Sequence, residues 1–253
     1  MKMKLYSKSN ILTEFILPSY VNLTIEGYGL DTVSECLDKT HFKNYPYKVE
    51  HKFNDRGFRD DVWPVSNLDE CIWCVGDSFT VGIGSPREHT WTYLLQEKTK
   101  TRTINVSMDG ASNTWIARKV SNIIESVVPK NIIIQWSYLH RRERFNLRLS
   151  DENRRLWHAE DLFDSEANIS LTLDNIAQVD TLAKTRGINI IHTFIPHCVP
   201  LEDKELFYDR VRQLNIGIVE YDVLDKARDG HHYDIKTADL FTNNIVNSGL
   251  LNI

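Results

Sequence analysis

The stretch Cys71-Ile-Trp-Cys-Val-Gly-Asp-Ser-Phe-Thr-Val-Gly82 decides the fold. Its first five residues are apolar, and its second half is polar and punctuated by glycine. A short apolar run bounded by turn residues is the pattern of a strand buried on both faces. Open parallel sheets carry their working residues just past the carboxyl ends of such strands. Asp77 and Ser78 follow the run directly, and Gly76 permits a tight turn between them and the strand.

Three common glycine motifs do not fit this turn. A phosphate-binding loop needs GxxxxGK followed by Ser or Thr, and neither the spacing of Gly76 and Gly82 nor a lysine is present. Gly82-Ile-Gly84 opens a GxGxxG but reaches Arg87 instead of the third glycine. A GxSxG elbow fails because Thr80 holds the last glycine position.

Outward from this run, apolar segments alternate with amphipathic ones. Strands are expected at 71–75, 102–106, 131–136 and 188–195, with a weak fifth at 216–223. Helices are expected at 91–97, 112–126, 171–185, 202–214 and 234–246. Trp115, Val120, Ile123, Ile124 and Val127 keep helical spacing, Pro129 stops that helix, and Gly187 closes the next one. Residues 140–168 give no clear element. The alternation predicts an α/β protein: a three-layer α/β/α sandwich around a mostly parallel, five-stranded, flavodoxin-like sheet. Residues 1–66 lack the pattern, so the chain divides into an irregular N-terminal extension, 1–66, and an α/β domain, 67–253.

Composition narrows the function. Of 253 residues, 42% are hydrophobic and 26% charged, which excludes a disordered or fibrous chain. A net charge of −5 argues against a nucleic-acid binder acting through phosphate neutralisation. Cys36, Cys71, Cys74 and Cys198 are too few and scattered for a disulfide scaffold. Cys71 and Cys74 form a CxxC, but strand alternation sends residues three apart to opposite faces, so they read as small buried residues. No leader or apolar span is visible, and the expectation is a cytoplasmic protein without a membrane span.

The far end of the chain gives Ser78 a use. Arg228-Asp-Gly-His-His-Tyr-Asp234 precedes the last helix. A serine becomes nucleophilic when a base takes its proton, and that base needs a carboxylate to hold its tautomer. Asp229 and His232, three apart, can make that second bond locally; His231 is the neighbour expected to face solvent.

These residues resemble the SGNH (GDSL-type) hydrolase superfamily. Gly76-Asp77-Ser78 matches its first block. Asn105 and Gly110, in Asn105-Val-Ser-Met-Asp-Gly-Ala-Ser-Asn113, fit its second. Asp229 and His232 match its final Asp-x-x-His. The segment Asn54-Asp-Arg-Gly-Phe-Arg59 also resembles an Asn-x-x-Gly-Phe-Arg stretch upstream of Gly-Asp-Ser in some members. The resemblance implies an esterase with nucleophile Ser78, base His232 and orienting acid Asp229. It implies oxyanion donors at the backbone of Ser78 and Gly110, a structural Asp77, and no metal or organic cofactor. The expected substrate is a small acyl ester, such as an O-acetyl group on a glycan. A non-catalytic glycan- or partner-binding protein and an O-acyltransferase are the alternatives.

One block departs. The family's Gly-x-Asn-Asp after the third strand is replaced by Gln135-Trp-Ser-Tyr-Leu-His-Arg141. Loss of one oxyanion donor costs about 10²–10³ in rate. Ser137, Tyr138, His140 and Asn113 are the candidate substitutes. Arg141, Arg142, Arg144 and Arg148 cluster next to this tip, either as a solvated basic face or as a clamp on an anionic substrate. His197 follows the fourth strand, and Trp136 is the tryptophan best placed to line a pocket.

Overall fold

The structure is a computed structural model that describes residues 15–27, 48–143, 155–156 and 165–252. Its centre is a four-stranded parallel sheet of β3 (Ile72–Gly76), β4 (Thr103–Ser107), β5 (Asn131–Trp136) and β8 (Asn189–Phe194), in the order β4-β3-β5-β8. Register is uniform: Val75 faces Val106 on one side and Ile134 on the other. Every residue of β3, β4 and β5 is buried, as expected for strands covered on both faces.

Helices α2 (Trp91–Thr99), α3 (Asn113–Ser126), α4 (Ser165–Arg186), α5 (Lys204–Gln213) and α6 (Ile235–Asn247) flank the sheet. Each of the first two begins where a hydroxyl caps it: Thr90 accepts from Tyr93 N, and Ser112 from Trp115 N. Gly187 ends α4 at φ +66°. The chain moves outward from β3 through α2 to β4, then back across β3 through α3 to β5. Right-handed crossovers in opposite directions put α2 and α3 on opposite faces. Accordingly α2 packs with α6, Trp91 lying 5.1 Å from Phe241, while α3 packs with α4. The reversal of direction makes the carboxyl ends of β3 and β5 the switch point, where such sheets open a crevice.

The expected fifth strand is reduced to one parallel bridge, His192 to Ile218. His192 donates to Gly217 O and accepts from Val219 N, and then the chain turns away: Glu220 O accepts from Asn244 Nδ2 of α6. The polar residues Glu220 and Asp222 interrupt the apolar run that would have extended the ladder. In the stretch without an expected element, β6 (Arg142–Glu143) pairs with β7 (Arg155–Leu156), and α4 starts at Ser165.

The described part of the N-terminal region adds a two-stranded ladder, β1 (Thr24–Glu26) against β2 (Glu50–Lys52). Phe15, Leu17, Phe58 and Trp63 belong to the same buried cluster as the sheet. Trp63 stacks on Phe58 at 5.4 Å and meets Trp73 of β3 edge-on at 5.5 Å. Each such aromatic contributes about 1.5–3 kcal/mol by burial. Cys71 and Cys74 are free, buried thiols, and burial pushes Cys71 up to about 11.

Candidate active site

Four loops meet at the switch point. The first follows β3. A Cβ on Gly76 would lie 2.1 Å from Thr80 Oγ1, so only glycine lets the chain fold back here. Asp77 is extended and its Oδ1 accepts from Phe79 N, capping a one-turn helix, α1 (Ser78–Val81), that Gly82 closes at φ +74°. Ser78 is its first residue and is buried.

The second loop follows β4. Asn105 Nδ2 donates to Thr80 O and Arg59 O, tying α1 to the sheet. Gly110 sits at φ +71° before the cap of α3. Among the described residues, no hydrogen bond uses the N–H of Ser78 or of Gly110.

The third loop follows β5 and explains the altered block. Asp77 Oδ2 accepts from Ser137 Oγ at 2.7 Å and from Arg141 Nη1 at 2.8 Å. Arg141 Nη1 also reaches Ser137 Oγ and Ala111 O. This buried ion pair therefore joins the tips of β3, β4 and β5. Asn113 Oδ1 accepts from Ser137 N, while Nδ2 donates to Ser137 O and Thr172 Oγ1. The amide hydrogens of Asn113 are thus engaged by the third tip and by α4 rather than pointed at a substrate.

The fourth loop carries Asp229 and His232. Asp229 Oδ1 accepts from His231 N and His232 N at 3.0 Å each, and Oδ2 lies 2.5 Å from His232 Nδ1. Burial pushes the Asp229 carboxyl up, but the hydrogen bond and charge of His232 and the two N–H groups bring it below its ordinary value. His232 is buried, and among the described residues its Nε2 has no hydrogen-bond partner.

The first and fourth loops are in contact. The Phe79 ring lies 4.5 Å from His232 at an interplanar angle of 57°, so the residue after Ser78 packs tilted against the imidazole. Gly84, at φ +78°, abuts Asp229: a Cβ there would be 2.9 Å from Asp229 Cγ. Gly84 O accepts from Arg228 N, and Ser85 Oγ donates to Asp234 Oδ1. Beneath them Gln135 accepts from Thr80 Oγ1 and donates to the hydroxyls of Tyr221 and Tyr233.

A cavity of about 60 Å³ borders this contact, lined by Phe79, Tyr138, Pro196, His197, Val223, Lys226, His231 and Tyr233. Tyr138 forms its wall, its hydroxyl 3.4 Å from His231 Nε2; burial pushes the phenol up to about 12, so it stays neutral. Cavities of about 740 Å³ and 400 Å³ lie farther along β8, and His197, at φ +57°, borders all three.

Several sequence expectations need correction. Arg141 is neither a solvated charge nor a clamp on substrate, because it is buried on Asp77. Arg142 donates to Leu139 O and Asn168 Oδ1. Arg144 and Arg148 lie outside the described residues. Trp136 is fully buried, donates to His192 Nδ1 and stacks on that ring, so it lines no pocket. Sequence reasoning missed Gly84, whose signal was the Gly82-Ile-Gly84 pair set aside as a failed nucleotide motif. It also missed the Asp77–Arg141 pair, which has no spacing signature.

No family model matches the chain, and no curated protein matches it. Solved structures do. The chain is similar to TesA, with a TM-score of 0.51 and 16% identity over 72% of this chain and 99% of that one. It is more loosely similar to the esterase EstA from Pseudoalteromonas sp., with a TM-score of 0.47 and 16% identity over 71% and 96% of the two chains. For the Clostridium thermocellum family 3 carbohydrate esterase the values are 0.46 and 13%, over 70% and 93%. The likeness to TesA is one of fold, and the chain has the fold of the SGNH hydrolases.

Proposed function

We propose that the chain is a serine esterase that hydrolyses a small acyl ester, O-acetyl groups on glycans included, through Ser78, His232 and Asp229. One observation carries the reading: a buried His232 whose Nδ1 is held by Asp229, whose Nε2 has no partner among the described residues, and whose ring packs on the residue after Ser78. Hydrogen bonds between nucleophile and base are often long before substrate binds.

In the proposed reaction His232 Nε2 takes the proton from Ser78 Oγ, which attacks the ester carbonyl. The oxyanion accepts from the N–H groups of Ser78 and Gly110. The alcohol leaves with the proton from His232, and the acyl group stays on Ser78. Water, deprotonated by the same imidazole, then releases the acid and restores the serine. Asp229 keeps Nδ1 protonated throughout and stabilises the imidazolium. The small cavity beside Phe79 and His231, the chain neighbours of Ser78 and His232, supports a short acyl group.

A second reading, a non-catalytic binding protein of the same fold, is favoured by the third tip. There Ser137 Oγ donates to Asp77 and both amide hydrogens of Asn113 are engaged, so neither of these two side chains replaces the missing asparagine. Turnover of p-nitrophenyl acetate separates the two. The esterase reading expects a rate well above Ser78→Ala, falling from acetate to butyrate; equal rates for wild type and Ser78→Ala favour the binding protein.

A further inference from the structure

We propose that Arg59 is a positioning residue of the active site, fixing the turn 81–85 on which Asp229 is seated. The catalytic consequence rests on the esterase reading above; the geometry does not.

The hexapeptide Asn54–Arg59 is built to aim this side chain. Asn54 Oδ1 accepts from Arg56 N and Phe58 N, and Nδ2 donates to Asp61 O, which closes the turn from both sides. Gly57 adopts φ +81°, and a Cβ there would lie 2.2 Å from Leu17 O. Phe58 is anchored against Trp63 in the core. On the other side of Arg59, Asp60 accepts from Asn105 N and pairs with Arg102, so both flanking residues are fixed. Only 3% of it is exposed.

Its guanidinium donates from Nη1 to Val81 O and Gly82 O, and from Nη2 to Ser85 O at 2.7 Å and Glu50 O at 3.4 Å. Three of these four carbonyls belong to the turn that leaves α1. The same turn bears the catalytic loop on its other side, through Gly84 against Asp229, Gly84 O on Arg228 N, and Ser85 Oγ on Asp234. Arg59 touches neither Ser78 nor His232. It holds the backbone that sets the distance between them. The rigid planar fork suits this task, because several carbonyls at fixed angles can be met at once; a lysine ammonium is a point donor.

Arg59→Lys and Arg59→Ala test this with p-nitrophenyl acetate, with and without millimolar guanidinium. Misplacement of catalytic groups by a distant substitution costs about 10²-fold in rate. The expectation is a kcat loss of that order in both variants, KM changed by less than about threefold, and at least about tenfold recovery of Arg59→Ala by guanidinium. A kcat within about twofold of wild type in either variant overturns the proposal, as does loss without recovery in a folded Arg59→Ala. Should Arg59→Ala not fold, Arg59→Lys decides. The imidazole nitrogen chemical shifts of His232, read by NMR in wild type and Arg59→Lys, give an answer independent of turnover. They are expected to move in the variant, and unchanged shifts overturn the proposal. A wild type with no turnover contradicts the esterase reading alone, and the His232 shifts still decide the role of Arg59.

Discussion

Asp229 Oδ2 lies 2.5 Å from His232 Nδ1, while the other nitrogen of the same ring is buried and has no partner among the described residues. A histidine held on one side only, next to a serine-bearing turn, is arranged as a base. Replacing the acid by its amide keeps the shape and removes the tautomer control. Asp229→Asn is expected to lower kcat by about 10³–10⁴. The carboxyl sits below its ordinary value, so its contribution to stability is present above pH 3.8 and is lost as pH falls through the lower folded value. Urea unfolding of wild type and Asp229→Asn should therefore differ at pH 7 and converge at strongly acidic pH. A stability gap that persists in acid would contradict this account of the pair.

Gly84 tests the contact between the Ser78 loop and the Asp229–His232 loop. In Gly84→Ala the new methyl would lie 2.9 Å from Asp229 Cγ on a left-handed backbone, and the carboxylate must move. The rate is expected to fall about 10²-fold. Gly187→Ala is the control: it has a similar positive φ but nothing within 4 Å of the added carbon. It should lose stability by about 1 kcal/mol and keep its kcat. Equal rates in the two variants would show that the Gly84 contact does not position Asp229.

The pair Asp77–Arg141 is expected to be strongly coupled. Removing one partner of a buried ion pair leaves the other charge uncompensated, at about 3–5 kcal/mol. Arg141→Met should therefore be severely destabilising. Asp77→Asn, which retains an acceptor for the Phe79 N–H, should cost less in the Arg141→Met background than in wild type. Additive urea-unfolding energies in this double-mutant cycle would refute the coupling.

His192 gives a pH dependence remote from the site. Burial and the charge of Lys184 lower it from 6.5 to about 3. Below pH 6.5 the unfolded chain takes up a proton that the folded chain refuses until about pH 3, so stability falls as pH falls across that window. His192→Gln, whose carbonyl can accept from Trp136 Nε1, should lose less stability between pH 7 and pH 4 than wild type does. Equal acid sensitivity would contradict a neutral buried imidazole. His51, likewise lowered to about 3, is expected to leave part of the effect in the variant.

The sheet was legible because β3 and β5 are short apolar runs, β4 alternates Ile104 and Val106 with polar residues, and β8 carries Ile190 and Ile191, with capped helices between them. The contact of Asp229 with His232 was legible because residues three apart on one turn can bond locally, and the turn at Ser78 because Gly76 and Asp77 follow a buried strand. The fifth strand misled because 216–223 alternates like a strand while Glu220 and Asp222 favour contact with α6 and solvent. The arginine cluster misled because burial depends on partners distant in the chain: Arg141 meets Asp77, 64 residues away. The stretch ending in Arg59 was legible as a motif, but the contacts of Arg59 were not, as its acceptors are backbone carbonyls that carry no sequence signal.

The central claim is that Ser78 is a nucleophile activated by His232. Covalent labelling of the folded protein by a fluorophosphonate probe measures this directly, because the probe reacts with an activated serine and needs no knowledge of the substrate. The account predicts one label on wild type, mapped to Ser78, none on Ser78→Ala, and strongly slowed labelling of His232→Gln. No labelling of wild type, or labelling undiminished in Ser78→Ala, would contradict it.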